Sequence, residues 1–244
     1  MLVALHGFTE TDESWYETLA HDIPALRCPL LPGHGGKPCP RDADVAGIVA
    51  ALAAQMPDEP SDLLGYSMGG RVALRIALDH PEKVRRLILI SCHPGIRDPE
   101  ERRQRLRRDE SLAQVLEEDG IGPFMAWWEN QPALKPYEPY PAAVAESVRA
   151  RRLNQDPRGL AACLRVLGGG AMEPVWHRLR ELRMPVLLIS GAADARYMRI
   201  MDEMAAYIPQ HRREVVLRAG HAVHRERPQV VAQMVGAFLY GRAS

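Results

Sequence analysis

The sequence predicts an α/β protein with a mostly parallel, doubly wound sheet. Short apolar runs bounded by Gly, Pro or Asp recur along the chain, and helical patterns lie between them. Apolar runs of this length suit strands that are buried on both faces of a parallel sheet. Their alternation with helices is typical of a doubly wound fold. The predicted strands are Leu2 to Leu5, Ile23 to Leu31, Leu63 to Tyr66, Val84 to Ile90, Val186 to Ser190 and Val215 to Leu217.

The helical patterns divide the chain into a core and an insertion. The predicted core helices are Val45 to Met56, Arg71 to Leu78, Met201 to Ile208 and Gln229 to Leu239. The alternation stops between residues 95 and 175, where a helical lid inserted after the fourth strand is expected because long structureless loops are uncommon. The elements of this lid are a charged helix (Pro99 to Arg108), an aromatic segment (Phe124, Trp127, Trp128), a Pro-rich turn (Pro132 to Pro141) and a helix (Ala142 to Leu153). We expect residues 1–94 and 176–244 to form the core.

The charge balance excludes a general attraction for nucleic acid or for an acidic membrane surface. The 244 residues contain 31 Lys plus Arg and 31 Asp plus Glu, and 46% of the residues are hydrophobic. With no net field, any charge selectivity must be local. Only Lys37, Lys83 and Lys135 are lysines, so nearly every local positive charge comes from an arginine.

The compartment is predicted from the N-terminus and the cysteines. The start, MLVALHGF, lacks the basic and long apolar regions of a signal peptide, and no apolar stretch has the length of a membrane span. The four cysteines lie far apart without metal-binding spacing, which predicts free thiols in the cytoplasm; they are Cys28, Cys39, Cys92 and Cys163. No metal site, dinucleotide fingerprint or phosphate loop is visible, so no cofactor is expected, and the pattern does not predict an oligomeric state.

The strongest chemical signal is Gly65-Tyr66-Ser67-Met68-Gly69, at the end of an apolar strand and the start of an apolar helix. This pattern predicts a nucleophile elbow, in which a strained turn lifts the serine hydroxyl above the sheet. Small flanking residues let neighbouring backbones approach closely. The helix N-terminus also favours negative charge at the serine oxygen.

A serine nucleophile requires an acid after a later strand and a histidine near the C-terminus. Asp194 follows the predicted strand at 186–190, and His221 follows Gly220 after the last predicted strand. His224 competes with His221, but it is expected to begin the packing before the final helix. Asp202 competes with Asp194, but it lies in a helical pattern and is expected to be solvated. The predicted triad is therefore Ser67, Asp194 and His221.

An anionic intermediate also needs preorganised donors, which two backbone amides usually supply. The candidates are the N–H groups of Met68, after the nucleophile, and Phe8, after the first strand. Gly7 permits a sharp turn past the serine. For His6 we expect a structural role in holding this loop.

At these residues the chain resembles the α/β-hydrolase superfamily. The motifs that carry the resemblance span essentially the whole chain and are Leu5-His6-Gly7-Phe8, Pro32-Gly33-His34-Gly35, Gly65 to Gly70, Gly191 to Asp194 and Gly220-His221. Members commonly have two further strands before the one that ends in His-Gly, whereas Met1 here starts almost directly in that strand. The resemblance therefore implies a sheet of about six strands.

Within the superfamily the chain is similar to the 2-succinyl-6-hydroxy-2,4-cyclohexadiene-1-carboxylate synthases, the pyruvate-eliminating lyases of menaquinone biosynthesis. The similar segments are Gly65 to Arg71, His93 to Ile96 with Glu100, Glu101, Arg102 and Arg105, Trp128 before Gln131-Pro132, Arg152-Leu153-Asn154, and Gly220 to Glu226. The resemblance implies that the substrate pocket is lined by Tyr66, Arg71, Arg105, Trp128 and Arg152. Arg196 matches a position that the family often gives to a basic residue.

This resemblance implies a small substrate that carries several carboxylates, which guanidinium groups bind in bidentate fashion. Ser67, activated by His221, would remove a proton next to a carbonyl, and the oxyanion donors would stabilise an enolate as pyruvate leaves. Trp127 is expected in the core of the lid. The remaining arginines of the first lid helix are expected to be surface charges; they are Arg102, Arg103, Arg107 and Arg108.

Two other functions stay open at the level of the sequence. A carboxylesterase or carbon–carbon hydrolase would use Ser67 as a true nucleophile, with water in the second step. A non-catalytic binding member of the fold is the third possibility, and the complete triad argues against it. The fold and the triad serve both enzymes. The lid arginines favour the lyase.

Overall fold

A computed structural model describes residues 1–40 and 42–241, and a single parallel sheet of six strands forms its centre. The strands are β1 (Leu2–Leu5), β2 (Leu26–Arg27), β3 (Ser61–Tyr66), β4 (Val84–Ile90), β5 (Val186–Gly191) and β6 (His211–Val216). Their order is β2-β1-β3-β4-β5-β6, and all neighbouring pairs are parallel. The strand order reverses at β1, so the carboxyl ends of β1 and β3 flank the crevice in which this type of sheet binds ligands.

Ten helices accompany the sheet in the described part of the chain. They are α1 (Glu13–Leu19), α2 (Val45–Ala54), α3 (Met68–Asp79), α4 (Pro99–Glu118), α5 (Ile121–Trp128), α6 (Ala142–Leu153), α7 (Pro157–Leu167), α8 (Ala195–Ala205), α9 (Val223–Glu226) and α10 (Pro228–Tyr240). Short 3₁₀ turns lie at Pro81–Lys83, Pro132–Leu134 and Trp176–Glu181. No helix within residues 1–40 and 42–241 is both long and apolar enough to cross a membrane.

Both faces of the sheet are covered, as the continuous apolar runs predicted. Leu87 and Leu89 of β4 pack into a core with α2, α3 and α8, whereas Ile88 and Ile90 pack into a second core with α1 and α10. Successive side chains of a strand point to opposite faces, so one apolar run supplies both cores. The prediction of a doubly wound parallel sheet of about six strands is confirmed.

The two edge strands differ from their predicted bounds. The strand predicted over 23–31 is paired only at Leu26–Arg27. Pro24 and Pro29 flank it, and a proline has no N–H to donate to the ladder. At the other edge β6 begins at His211, before the predicted start at Val215, and includes the charged Arg212, Arg213 and Glu214. Its outer side has no partner strand among the described residues, and most of its side chains are at least partly exposed. The strand therefore lacks the continuous apolar run from which strands were predicted.

Several helices differ from the sequence prediction in their bounds or were not predicted, and side-chain caps and the tight turn after β3 account for some of the differences. Helix α8 begins at Ala195, where the Asp194 side chain accepts a hydrogen bond from the Tyr197 N–H, and it ends at Ala205, before the predicted end at Ile208. Helix α3 begins at Met68, directly after the serine. Helix α4 continues to Glu118, ten residues beyond the predicted end at Arg108. The prediction stopped early because the polar surface of the helix hides the apolar periodicity. Helix α7, capped by Asp156, was not predicted.

The inserted helices, α4 to α7, connect β4 to β5 and lie over the carboxyl end of the sheet. They have a small apolar core of their own, formed by Ala113, Leu116, Phe124, Met125, Leu160 and Ala161. Phe8, from the loop after β1, joins this core, with its ring 6.3 Å from Phe124 and 5.4 Å from Trp128. The limits 95–175 for a separate lid stay a prediction.

The turn between β3 and α3 depends on glycines. Ser67 has φ 51° and ψ −110°, a conformation that side-chain-bearing residues rarely adopt. A Cβ atom on Gly69 would collide with the carbonyl oxygens of Leu5 and His6, and one on Gly65 would collide with the backbone of Gly69. The serine can therefore approach the loop after β1 only because these positions lack side chains.

Two buried histidines hold the loops after β1 and β2. His6 Nδ1 donates to the Gly7 carbonyl oxygen (2.8 Å), and Nε2 accepts from the Leu31 N–H (3.0 Å). His34 Nδ1 donates to the Pro32 carbonyl oxygen (3.1 Å), and Nε2 accepts from the Thr9 N–H (3.2 Å). Each ring must be neutral to donate and accept at once. Burial lowers the pKa of both side chains, that of His34 to about 3.

Replacing Gly69 by Ala is expected to lower the free energy of unfolding by about 2 kcal/mol or more, because backbone must move to admit the methyl group. The matched control is Gly236→Ala in α10, where a Cβ would meet no atom within 4 Å. That variant is expected to gain about 0.5–1 kcal/mol from helix propensity. Denaturant unfolding measures both, and similar effects of the two substitutions would contradict the close approach at Gly69.

Because His6 and His34 must be neutral in the fold, we expect the free energy of unfolding to decrease as the pH falls. The pKa of His34 is lowered in the folded protein, so the unfolded chain binds the extra proton and stability is lost as the pH falls from about 6.5 toward 3. The slope from this residue is at most about 1.4 kcal/mol per pH unit. His34→Gln should make the slope shallower, whereas His21→Gln, at an exposed histidine, should leave it unchanged. Equal slopes in both variants, measured by unfolding between pH 7 and 4.5, would refute this account.

Candidate active site

The three residues predicted as a triad meet at the carboxyl edge of the sheet. His221 Nε2 lies 3.1 Å from the Ser67 Oγ, and His221 Nδ1 lies 2.9 Å from the Asp194 Oδ2. Because a carboxylate can only accept, Nδ1 carries the proton and Nε2 is free to take one from the serine hydroxyl. Asp194 Oδ1 accepts from the Tyr197 N–H (3.1 Å), which fixes the carboxylate. This arrangement can activate Ser67 as a base or as a nucleophile.

Backbone contacts between the loops after β5 and β6 hold the acid and the imidazole together. The N–H groups of Ala192 and Ala193 donate to the carbonyl oxygens of Val216 and Ala219, both at 2.9 Å. A side chain on Gly191 would collide with the backbone of this second loop. The Gly220 N–H donates to the Glu226 carboxylate (2.9 Å), which sets the backbone just before the imidazole.

The competing residues lie elsewhere. His224 is completely buried, with its ring 4.4 Å from that of Tyr66 and 4.8 Å from that of Trp15. Asp202 forms a surface ion pair with Arg213 (2.9 Å). The structure therefore brings His221 and Asp194, and neither of the alternatives, to the serine.

The two candidate oxyanion donors are the N–H groups of Met68, directly after the serine, and of Phe8, in the loop after β1. Met68 is the first residue of α3, so its N–H has no acceptor within the helix. Phe8 lies in the loop after β1, whose Leu5 and His6 carbonyls touch Gly69. Within residues 1–40 and 42–241, the Phe8 N–H donates to no backbone carbonyl. Their role as oxyanion donors stays a prediction.

Tyr66 is buried beside the triad. Its ring centroid lies 5.3 Å from that of His221, and a Cβ on Gly7 would be 2.6 Å from the ring. Burial raises the pKa of Tyr66 well above its usual value, so the phenol is neutral. The Tyr66 ring therefore packs between the triad imidazole and the loop after β1.

A first group of cations lies near Arg71, at the start of α3. Arg71 is only 5% exposed; its Nη2 donates to the Leu167 carbonyl oxygen (2.6 Å), and its Nε has no partner among the described residues. Arg105 Nε donates to the Asp109 carboxylate (2.7 Å). Arg196 is largely exposed and lies 3.6 Å from Glu101. Arg71 and His93 line one small cavity, and burial, followed by the cations of Arg71 and Arg105, lowers the pKa of His93 well below its usual value.

A second group of cations includes Arg152 and Arg225. The Arg152 side chain is mostly buried; its Nη1 is 3.4 Å from the Glu129 Oε1, and its Nε has no partner in the described part of the chain. Burial and then the Arg225 cation lower the pKa of Arg152. The structure thus separates the predicted arginines into two groups, with Arg71, Arg105 and Arg196 in one and Arg152 in the other.

The aromatic residues of α5 face in different directions. Trp128 packs on Phe8 and Phe124, with ring centroids 5.4 and 5.5 Å away. Trp127 is 40% exposed, so the expectation that it lies in the lid core is wrong. In this eight-residue helix Phe124, Met125 and Trp128 form the apolar face and turn Trp127 outward.

The arginines of α4 that were expected to be surface charges differ from one another. Arg103 and Arg107 pair with Glu100 in the first turns of the helix and are exposed. Arg102 is not merely solvated, because its Nε donates to the Gly170 carbonyl oxygen (3.0 Å) and ties α4 to the segment after α7. The position of Arg102 in the helical pattern could not predict this contact, because its partner lies far along the chain.

Sequence reasoning missed two buried charged residues beside the site, Glu10 and Arg225. Glu10 Oε1 lies 2.8 Å from the Arg225 Nη2, and both side chains are almost completely buried. Glu10 stands in a polar loop segment, Thr9-Glu10-Thr11-Asp12, where nothing in the local pattern separates a buried acid from a solvated one. Arg225 lay within a motif of the resemblance, which was its only signal.

Comparison with known proteins agrees with this geometry. The model of the alpha/beta hydrolase family matches residues 2–234. A 2-succinyl-6-hydroxy-2,4-cyclohexadiene-1-carboxylate synthase of Klebsiella pneumoniae (strain 342) is 31% identical over 98% of this chain and 93% of its own length. A Bacillus subtilis (strain 168) protein, provisionally given the same name, is 35% identical over 98% of this chain and 89% of its own.

Solved structures agree as well. The structure of MenH from S. aureus has a TM-score of 0.94 and 31% identity, with 98% of this chain and 93% of that chain covered. A thermophilic esterase from Thermogutta terrifontis, with malate bound, has a TM-score of 0.76 and 25% identity over 98% of this chain and 89% of that chain. With a family match over nearly its whole length and relatives above 30% identity, the chain belongs to the alpha/beta hydrolase family.

Proposed function

We propose that this protein is a 2-succinyl-6-hydroxy-2,4-cyclohexadiene-1-carboxylate synthase, a lyase of menaquinone biosynthesis that eliminates pyruvate from a small polyanionic substrate. The observation that carries the proposal is a complete Ser67–His221–Asp194 triad, together with the buried Arg71 and the mostly buried Arg152, each with an Nε that has no partner among the described residues. The relatives with this name, aligned over almost the whole chain, support the same reaction.

In the proposed reaction the triad acts as a base. His221 Nε2 takes the Ser67 proton, and the serine oxygen removes a proton from the carbon next to a substrate carbonyl. The electron pair of that C–H bond forms the enolate, whose oxygen would accept hydrogen bonds from the N–H groups of Phe8 and Met68. Collapse of the enolate breaks the carbon–oxygen bond, whose electron pair leaves with pyruvate as its enolate. That leaving group takes the proton held by His221, while the serine hydroxyl is already restored by the substrate proton. No acyl-enzyme forms.

The arginines would recognise the carboxylates. Among the residues that the structure describes, the Nε of Arg71 and that of Arg152 have no partner, while another guanidinium nitrogen of each contacts a protein acceptor. A buried guanidinium with a free N–H binds a carboxylate strongly because little water competes. We propose that Arg71 and Arg105 bind at one end of the substrate and Arg152 at the other. Tyr66 and Trp128 would shape the pocket, and the exposed Arg196 would attract anions at its rim.

A carboxylesterase that takes small acidic substrates is the second candidate. The strained turn at Ser67 and the 3.1 Å contact to His221 serve a nucleophile as well as a base. The esterase from Thermogutta terrifontis, whose structure has a bound dicarboxylate, shares the fold. The two candidates differ in whether Ser67 becomes acylated.

A cytoplasmic location fits the proposal. All four cysteines are free, as is usual in a reducing compartment. The proposed partner is one small anionic organic molecule, with neither nucleic acid nor a membrane required.

Purified protein is expected to release pyruvate from the pyruvate-bearing menaquinone precursor with a kcat/KM far above that for short neutral acyl esters. Ser67→Ala should lower this activity by about 10³-fold or more, because the base is lost. Coupled pyruvate detection and ester hydrolysis provide the two rates. Rapid ester cleavage without pyruvate release would reject the lyase in favour of the esterase.

Arg105→Ala and Arg152→Ala are each expected to lower kcat/KM for the polyanionic substrate by about 10- to 100-fold, the value of one charge-assisted hydrogen-bond pair. Their effect on a neutral ester should be less than about threefold. Arg103→Ala is the matched control, since this side chain lies on the same helix as Arg105, is exposed and forms an ion pair with Glu100. Equal losses on both substrates would speak against recognition of charge.

A further inference from the structure

Glu10 is a buried carboxylate beside the site that the proposed reaction does not use. It is 3% exposed and lies two residues after Phe8. Its Oε2 accepts from the Gly7 N–H (3.4 Å), while its own N–H donates to the Gly7 carbonyl oxygen (3.3 Å). The side chain therefore closes the short loop that carries the Phe8 N–H.

The same carboxylate also holds the segment that follows His221. Its Oε1 lies 2.8 Å from the Arg225 Nη2, and its Oε2 lies 3.4 Å from the His224 Nε2. His224 and Arg225 belong to α9, which begins two residues after His221. Glu10 thus joins the loop of one candidate oxyanion donor to the segment of the triad imidazole, more than 200 residues later in the chain.

Neighbouring contacts make this junction rigid. The ring of His224 packs between Trp15 and Tyr66, and Tyr66 in turn lies beside His221. Arg225 Nη2 also contacts the Ser14 Oγ (3.1 Å) at the start of α1. A shift of the carboxylate would therefore reach both Gly7 and the backbone next to the triad imidazole.

The electrostatics keep Glu10 charged despite burial. Burial acts to raise the pKa of Glu10, but the Arg225 cation, the neighbouring His224 side chain and the Arg152 cation outweigh that effect and hold the pKa well below the usual range. A buried ion pair adds little net stability unless its geometry offsets the cost of desolvation. The pair nevertheless fixes the relative orientation of its two side chains. An apolar pair of the same size would fill the space without fixing Gly7.

We propose that Glu10 is a positioning residue, whose carboxylate sets the distance between the Phe8 N–H and His221 through Gly7, His224 and Arg225. The inference rests on the proposed function only in taking Ser67, His221 and Phe8 as the reacting centre. Catalytic geometry is sensitive to small displacements, since a misplacement of about 1 Å costs on the order of 100-fold in rate.

The test uses a probe that needs the triad and the oxyanion donors but no arginine, the uncharged diethyl 4-nitrophenyl phosphate. Ser67 Oγ forms the bond to phosphorus, 4-nitrophenolate leaves with the electron pair of the P–O bond, and His221 takes the serine proton. The limiting rate of 4-nitrophenolate release and the half-saturating concentration are measured for the wild type and for Glu10→Gln. Glu13→Gln, at an exposed glutamate in α1, is the matched control.

Glu10→Gln keeps the shape and an acceptor for Gly7 but loses the charge that holds Arg225. The limiting rate is expected to fall by about 10- to 100-fold, with the half-saturating concentration changed by less than about threefold. Glu13→Gln should stay within about twofold of the wild type. A folded Glu10→Gln variant with the wild-type limiting rate would overturn the proposal, even if its thermal unfolding temperature were lower.

If Glu10→Gln does not fold, Glu10→Asp provides the same measurement, because it keeps the charge and withdraws the carboxylate by one methylene. Its limiting rate is expected to fall by at least about threefold, and an unchanged rate would overturn the proposal. Phosphorylation of Ser67 is independent of pyruvate release. A wild type that reacts with the probe but releases no pyruvate would therefore defeat the proposed function and leave this inference standing.

Discussion

The hydrogen bond between His221 and Asp194 is the interaction on which the site depends. It fixes the imidazole so that Nε2, and not Nδ1, faces the Ser67 hydroxyl at 3.1 Å. Without the carboxylate the ring could turn or adopt the other tautomer, and the serine would have no base. The loop contacts between β5 and β6 serve mainly to keep these two side chains within hydrogen-bonding distance.

Because the surroundings of this hydrogen bond are buried, the loops that carry the triad depend on close backbone contacts and on fully paired polar groups. Glycines at 65, 69 and 191 let backbones approach where no side chain would fit. Neutral His6 and His34 tie the loops after β1 and β2 with both of their ring nitrogens. In a region of low dielectric an unpaired polar atom is costly, so the loops have little freedom to move. The centre is thereby preorganised before a substrate arrives.

The triad and the sheet could be predicted from sequence because each signal is local. Ser67 directly follows an apolar strand, Asp194 lies in the loop after another, and His221 lies in the loop after the last one; in a parallel sheet such positions meet at one edge. The edge strands were less predictable, because β2 is broken by prolines and β6 is charged. The direction of lid side chains such as Trp127 and Arg152 depends on helix packing that no local pattern encodes. Glu10 was invisible because its partner lies more than 200 residues away.

The strained backbone at Ser67 lowers the free energy of unfolding of the protein. A non-glycine residue in this conformation costs on the order of 1–3 kcal/mol, and the surrounding packing must hold it there. A mutation that relaxed this turn is expected to raise the stability of the fold and to lower the activity proposed for Ser67. Because Ser67 is the proposed reacting residue, substitutions that raise stability without loss of activity are expected at positions away from this turn.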